Sequence, residues 1–153
     1  MMHKIAEEET YLQVVVFHLG EEEFALDIAY VKEIVRLAPI TRVPKCKEWI
    51  EGVINLRGNV VPVMDLRKRF HVPSTNQRQT RIIILELRGI SLGVLVDAVV
   101  ETRQIGRSLV EPAPALMSSV ESEYIAGVAK LEDRLISLLQ IDKILNFDGK
   151  EAV

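Results

Sequence analysis

The sequence predicts an all-β fold in which two small lobes are built from a duplicated module. Residues 52–66 predict a hairpin, because two apolar runs flank a polar turn at residues 57–59. The same pattern returns without a gap at residues 127–141, and both stretches begin with Gly-Val. Two further pairs of segments match, residues 14–19 with 82–87 and residues 24–27 with 94–97. An internal repeat of strands and turns therefore sets the architecture.

The first copy predicts two hairpins joined by an irregular segment. A strand at residues 12–19, an acidic turn and a second strand at residues 24–28 form the first hairpin. Residues 29–35 fit either a helical face or a strand, and we expect a short helical turn that runs into a strand through Arg36. Residues 47–51 are expected to form one helical turn before the second hairpin.

The second hairpin has local features that set its turn and its end. Gly58 and Asn59 are residue types that reach positive φ at low cost, as tight turns require. Pro62 cannot donate to a sheet ladder, so its strand is expected to lie at an edge or a bulge there. Asp65 is placed to cap a short helical turn at residues 66–70.

The second copy follows a polar linker at residues 71–80 that is punctuated by proline. Its strands begin near Arg81, and residues 106–123 predict a surface loop with one irregular turn. Asp142 is placed to cap a last short helix at residues 143–146. Residues 1–10 predict a disordered polar arm, which leaves residues 11–147 as a single domain.

Composition limits the class of function. The formal net charge is -3 and aromatic residues make up 5% of the chain, so the sequence predicts neither a basic footprint for nucleic acid nor a stacking platform. The apolar runs are strand-sized and no signal peptide is recognisable, which predicts a cytoplasmic protein without direct membrane insertion. A single cysteine excludes an internal disulfide. We interpret the basic run at residues 67–69 as a solvated helix face.

The sequence contains no recognisable set of catalytic or metal-ligating residues. The three histidines lack ligand spacing, and His18 is expected on the solvent face of its strand. Asp27 and Asp97 recur at one place in each repeat, which favours cap residues over catalytic carboxylates. Cys46 lies between two lysines that favour a lowered thiol pKa, but no base accompanies it. We therefore expect no enzyme, cofactor or metal, with a small-molecule enzyme that uses Cys46 or the aspartates as the alternative.

A binding surface is the remaining interpretation, because the first copy has more apolar residues than one small barrel needs inside. These residues are Val15, Ile28, Val31 and Ile34. Either all four belong to the core, or some of them line a groove between the lobes. Arg57 becomes Glu132 in the second copy, so this turn position is either a solvated charge or a contact for a partner.

Residues 52–66 resemble the hallmark of the CheW family of chemotaxis coupling proteins, which also occurs in the CheW-like domain of the histidine kinase CheA. They read Gly-Val-Ile-Asn-Leu-Arg-Gly-Asn-Val-Val-Pro-Val-Met-Asp-Leu. Further matching segments lie at residues 24–28, 93–97, 124–127 and 133–136. The chain has no kinase ATP-binding region or receiver domain, so the resemblance is to a stand-alone coupling protein.

The resemblance implies two intertwined SH3-like barrels, with a first lobe at about residues 12–70, a second at about residues 81–141, and terminal segments that cross between them. It implies a non-catalytic adaptor that couples methyl-accepting chemoreceptors to CheA at membrane-associated arrays, or a scaffold of another receptor–kinase pathway. A groove between the lobes would hold the cytoplasmic hairpin tip of a receptor. The receptor positions would be Val15, Ile28, Val31, Ile34, Gly52, Arg57 and Gly93. The kinase positions would be Ile40, Val43, Pro44 and Lys45.

Overall fold

The computed structural model describes residues 10–44, 47–73, 79–112 and 124–146. Within these ranges the chain forms eleven strands, two short helices and two 3-10 turns. The strands are β1 (Tyr11–Leu19), β2 (Glu22–Asp27), β3 (Val31–Arg36), β4 (Ile50–Leu56), β5 (Asn59–Asp65), β6 (Arg81–Leu87), β7 (Ile90–Val96), β8 (Ala98–Gly106), β9 (Val110–Glu111), β10 (Ile125–Leu131) and β11 (Arg134–Leu139). The helices are α1 (Leu66–Arg69) and α2 (Ile141–Asn146), and the 3-10 turns are Ile28–Tyr30 and Arg107–Leu109. The all-β fold class is confirmed.

The strands form two sheets of matching order. The six-stranded sheet has the order β8-β1-β2-β11-β10-β9, and the five-stranded sheet has the order β3-β6-β7-β5-β4. Strand β11 pairs in parallel with β2, and β5 pairs in parallel with β7, while the other neighbours are antiparallel. Each sheet therefore combines the first hairpin of one repeat with the later strands of the other.

This exchange of hairpins defines the six-stranded lobe and the five-stranded lobe. The chain crosses from the six-stranded to the five-stranded lobe after Asp27, and it crosses back at Asp97, the matching residue of the second repeat. The ranges 12–70 and 81–141 therefore describe the two repeats and do not coincide with the lobes. The physical reason is the parallel pairing, because each first hairpin completes its sheet against the last strand of the other copy.

Three apolar clusters account for the apolar runs in the strands. Val14 and Val16 lie in a cluster built only from strands of the six-stranded lobe. The alternating residues Val15 and Phe17 lie in a larger cluster between the lobes, the interlobe cluster, which contains residues of both sheets. Strand β6 alternates in the same way between the interlobe cluster and the inner cluster of the five-stranded lobe. Burial on both faces explains why these strands lack a polar face.

In each lobe, a glycine at the start of the later hairpin allows another segment of backbone to approach closely. In the five-stranded lobe Thr41 bridges to Val53, and in the six-stranded lobe β9 pairs with β10 at the matching position. A Cβ built on Gly52 would lie 2.0 Å from Thr41 O, and one built on Gly127 would lie 2.6 Å from a side-chain carbon of Val110. The two copies therefore use the same close backbone approach.

The turn of the β4–β5 hairpin differs by one residue from the sequence prediction. Leu56 pairs with Asn59, so the loop consists of Arg57 and Gly58, whose φ angles are 51° and 88°. Asn59 is therefore the first residue of β5 and not a turn residue. Asn55 holds the turn from the preceding strand, because its Oδ1 accepts a hydrogen bond from Gly58 N at 2.8 Å.

The predicted helix starts and strand edges were partly right. Asp65 caps α1, since its side chain accepts a hydrogen bond from Arg67 N at 2.9 Å. Asp142 does not cap α2 but lies in its first turn, where a negative charge also interacts favourably with the helix dipole. Strand β5 is interior, yet its pairing with β7 begins only at Val63, so Pro62 lies where one side of the strand is locally unpaired. Most of the predicted loop 106–123 lies outside the described residues.

Candidate partner-binding surfaces

The first crossover between the lobes carries two of the predicted receptor positions. Asp27 caps the 3-10 turn there, because its Oδ1 accepts a hydrogen bond from Ala29 N at 2.9 Å. Ile28 begins this turn and Val31 follows it. Both are half-buried and pack, together with Tyr30, against the interlobe cluster. They form an apolar edge at the place where the chain passes between the lobes.

Strand β3 extends this apolar edge onto the five-stranded lobe. Burial alternates along β3, and Ile34 is 37% exposed between two exposed basic residues. Its backbone partner is Ile83, which belongs to the interlobe cluster. Ile28, Val31 and Ile34 together are here called the crossover rim. Exposed and half-buried aliphatic side chains in a row are the kind of surface that the apolar face of a helix covers.

Three other predicted receptor positions lie inside the fold. Val15 is 1% exposed and belongs to the interlobe cluster, so its side chain cannot touch a partner in this arrangement. Gly52 is buried beneath Thr41. Gly93 is buried as well, and a Cβ built on it would lie 2.8 Å from a side-chain carbon of Ile82. These three residues are buried within the lobes and do not line the crossover rim.

Arg57 lies at the hairpin tip, as predicted, and its side chain is 66% exposed. Its Nη2 donates a hydrogen bond to Glu33 Oε2 on β3, a partner that the sequence pattern did not reveal. This hydrogen bond and the charge of Glu33 raise the pKa of Arg57 above its ordinary value. Strands β3 and β4 are opposite edges of the five-stranded sheet, so the pair joins the β4–β5 turn to the strand that carries Ile34.

The predicted kinase positions lie on a different part of the five-stranded lobe. Ile40 is half-buried against the inner cluster of this lobe, whereas Val43 is 41% exposed and Pro44 is also exposed. Lys45 lies outside the described residues. The surrounding surface carries both signs of charge, because the depression that contains Val43 and Pro44 is lined by Arg42, Lys47 and Lys68 and also by Glu48 and Glu51. Thr41 of this loop bridges to β4, the edge of the five-stranded sheet opposite β3, which carries Ile34.

The basic run at residues 67–69 is not the solvated face that the sequence predicts. The Arg67 side chain is only 12% exposed, and its guanidinium donates to Asp65 Oδ1 and to Asp97 Oδ1, at 2.9 Å in each case. Burial acts to lower the pKa of Arg67, but the hydrogen bonds and charges of the two aspartates outweigh it and raise the pKa above its ordinary value. Only Lys68 is exposed. A composition rule for short helices could not reveal the contact with Asp97, because that residue is 30 positions away in the sequence.

The residues considered for catalysis have structural contacts. Asp27 is a helix cap, as the repeat predicted, and Asp97 accepts hydrogen bonds from Gly20 N and Arg67. His18 is partly exposed and lies 3.6 Å from Glu23. Cys46 lies outside the described residues. In the part of the chain that the structure describes, no three His, Cys, Asp or Glu side chains are grouped as a metal site would require, and no helix is both long and apolar enough to cross a membrane.

Comparison with known proteins shows which family the chain belongs to. The family model described as CheW-like domain matches residues 13–148. The chain belongs to the CheW family. Chemotaxis protein CheW of Klebsiella aerogenes is 33% identical over 151 residues, covering 98% of this chain and 91% of that protein. Chemotaxis protein CheW of Bacillus subtilis is 34% identical over 148 residues, covering 96% and 95% of the two chains.

A solved structure of a CheW protein has the same fold. The scaffolding protein TtCheW from Thermoanaerobacter tengcongensis superposes with a TM-score of 0.84, at 38% sequence identity and with 92% of each chain covered. The CheW family consists of non-catalytic adaptors of chemotaxis, so the expectation of an adaptor and not an enzyme is confirmed by the family.

Proposed function

We propose that this CheW protein couples methyl-accepting chemoreceptors to a histidine kinase of the CheA type. The observation that carries the proposal is the crossover rim, where three aliphatic side chains lie half-buried or exposed beside the interlobe cluster. A receptor ends in a helical hairpin, and an amphipathic helix can bind by laying its apolar face against a row of aliphatic side chains. The names of the relatives, which are chemotaxis proteins, favour chemoreceptors over the receptors of another pathway.

Arg57 adds a polar contact to the proposed receptor site. The Glu33 carboxylate holds one side of the guanidinium, while two-thirds of the side chain stays accessible. A planar guanidinium has further donors, which suit an acidic or amide side chain at the edge of a helical tip. In this proposal the aliphatic rim supplies the apolar contact, and Arg57 sets the orientation of the bound hairpin.

The kinase would bind the loop that contains Ile40, Val43, Pro44 and Lys45. Val43 and Pro44 offer exposed apolar surface, and the basic and acidic residues around them form a charged border. Because this loop contacts β4 and the rim includes the opposite edge strand β3, in this proposal a receptor and a kinase domain are bound at the same time. The protein would act in the cytoplasm and would be recruited to receptor arrays at the membrane through these contacts.

The proposed mechanism uses binding energy and no chemical step. A receptor changes kinase activity through the adaptor only if the bound states differ in free energy between the active and inactive arrangements of the kinase. Such differences amount to about 1–3 kcal/mol in typical allosteric systems. Repetition of weak contacts in an array raises the total response without stronger individual contacts.

Replacing the exposed side chain of the rim is expected to weaken receptor binding selectively. Ile34→Asp places a carboxylate in the apolar contact, and we expect the affinity for a receptor hairpin fragment to fall about tenfold or more. The free energy of unfolding is expected to change by less than about 1 kcal/mol, because Ile34 is partly exposed on an edge strand. Titration calorimetry measures the affinity. Leu109→Asp, at a 47% exposed position of the six-stranded lobe, is the matched control.

A substitution in the loop is expected to have the opposite selectivity. Val43→Asp should reduce the affinity for the CheW-like domain of the kinase about tenfold, while receptor-fragment affinity stays within about twofold. Both affinities can be measured on one protein preparation. Equal losses for the two partners would contradict the assignment of two separate sites.

A further inference from the structure

Helix α1 belongs to the five-stranded lobe, yet one of its arginines reaches the six-stranded lobe through a buried carboxylate. Arg67 Nη1 donates to Asp97 Oδ1 at 2.9 Å, and Asp97 Oδ2 accepts a hydrogen bond from Gly20 N at 2.6 Å. Asp97 N also donates to His18 O at 3.0 Å. His18 and Gly20 belong to β1 and the turn that follows it. The ion pair therefore ties α1 to the first hairpin of the other lobe.

The second arginine of α1 holds two aromatic side chains from different lobes. The Arg69 guanidinium carbon lies 4.4 Å from the ring centroid of Trp49 and 4.7 Å from that of Tyr124, and its Nη2 donates to the Tyr124 hydroxyl. Trp49 precedes β4 in the five-stranded lobe, and Tyr124 precedes β10 in the six-stranded lobe. They occupy matching positions of the two repeats, so a single cation joins equivalent ends of the lobes.

The second copy of the module has neither arginine. When the matching stretches are extended, Asp142 and Ile144 of α2 stand at the positions of Arg67 and Arg69. Contacts that each module needed for its own folding would be present in both copies. Arg67 also donates to Asp65 within its own lobe, but the absence of both arginines from the second copy indicates a further role in the relation between the lobes.

We propose that Arg67 and Arg69 are positioning residues that fix the angle between the two lobes and thereby the shape of the crossover rim. Apolar burial in the interlobe cluster is non-directional, so it stabilises contact between the lobes without choosing one angle. Hydrogen bonds from a guanidinium and stacking on aromatic rings do depend on direction. Here the arginine contacts select one arrangement from those that the apolar cluster permits.

The placement of these contacts lets the lobe angle act on the proposed receptor site and not on the proposed kinase site. The carboxylate of Asp97 stands at the second crossover, and the crossover rim stands at the first, so both places where the chain joins the lobes are involved. Between the two arginines, Lys68 pairs with Glu51 and lines the depression beside Val43. Helix α1 and the proposed kinase loop belong to the same lobe, so a change of lobe angle would alter the crossover rim and leave the kinase loop intact. This consequence rests on the proposed function, whereas the lobe angle itself does not.

The lobe angle can be measured without any partner. Residual dipolar couplings of backbone amides in each sheet give the orientation of that lobe, and the test compares wild type with the double variant Arg67→Lys, Arg69→Leu. Lys143→Met, an exposed lysine on α2, is the control. We expect both sheets of the wild type and control to fit one alignment frame. In the double variant each sheet should still fit by itself, with the two frames rotated by about 10° or more, the scale of known rigid-body domain rotations.

A double variant whose two sheets fit the single wild-type frame would overturn the proposal. Should the double variant fail to fold, Arg69→Lys alone keeps the charge but loses the planar stack, and the same comparison applies. In a second arm, the affinity of the folded variant for a receptor hairpin fragment should fall about tenfold, while kinase-domain affinity stays within about twofold. Rotated lobes with unchanged receptor affinity would refute the link to the rim. If the wild type binds no receptor fragment, the proposed function is wrong. The residual dipolar couplings still test whether the two arginines fix the angle between the lobes.

Discussion

Gly52→Ala is expected to destabilise the protein by about 3 kcal/mol or more, through backbone strain and overpacking together. The φ angle of Gly52 is 148°, and a Cβ there would lie 2.0 Å from Thr41 O and 2.7 Å from Thr41 C. Both atoms belong to the backbone, so no side chain can rotate away to make room. Urea unfolding monitored by the fluorescence of the single tryptophan measures the loss.

Gly58→Ala is the matched control for this prediction. Gly58 also has a positive φ, 88°, but a Cβ built there meets no atom within 4 Å. Its substitution should therefore cost only the conformational penalty, about 1 kcal/mol. Comparable losses at the two glycines would show that the close approach of Thr41 is not what requires glycine at position 52. A receptor-binding defect of Gly52→Ala would then have to be sought in direct contact and not in folding.

Arg67→Met is expected to cost about 3–5 kcal/mol of unfolding free energy, because it removes a guanidinium that is hydrogen-bonded to both Asp65 and Asp97. The two aspartate side chains are 6% and 3% exposed, so water cannot replace the lost guanidinium. The raised pKa of Arg67 means that its contribution is present at neutral pH and is lost only in strongly alkaline solution.

Lys68→Met tests the same helix at an exposed position. The Lys68 side chain is 48% exposed and pairs with Glu51, and a surface ion pair contributes less than about 1 kcal/mol. Thermal or urea unfolding of the two variants should therefore differ by about 2 kcal/mol or more. If Arg67→Met were as stable as Lys68→Met, the buried ion pair would not contribute to holding the structure together.

The sequence was sufficient for the hairpins and the repeat because their signals are local. Alternating and continuous apolar runs, Gly-Val at the start of each later hairpin and a cap at Asp65 all depend on residues close in the chain. Local patterns could not predict the exchange of hairpins, since β2 presents the same apolar residues whether it pairs with β5 of its own copy or β11 of the other. Only the family resemblance implied that the lobes are intertwined. Parallel pairing across the repeat decides between them, and no residue type marks it.

The proposed site was only partly predictable for the same reason. Alternation in β1 cannot distinguish Val14 from Val15, because both are buried. Val14 enters the cluster of the six-stranded lobe, and Val15 enters the interlobe cluster. Glu33 and Asp97 became visible as arginine partners only in three dimensions. The sequence carried one signal of these contacts, which is a difference between the two repeats. Arg57, Arg67 and Arg69 are each replaced by a non-basic residue in the second copy. Comparing repeats for lost charges would have drawn attention to all three.

The central claim is that one small protein binds a receptor and a kinase at separate surfaces. Titration calorimetry against a receptor cytoplasmic hairpin fragment, first alone and then with the kinase's CheW-like domain already bound, tests it directly. We expect a receptor affinity that changes by no more than about tenfold between the two titrations, as coupling energies of typical size allow. Mutually exclusive binding, or no binding to either folded partner, would contradict the account.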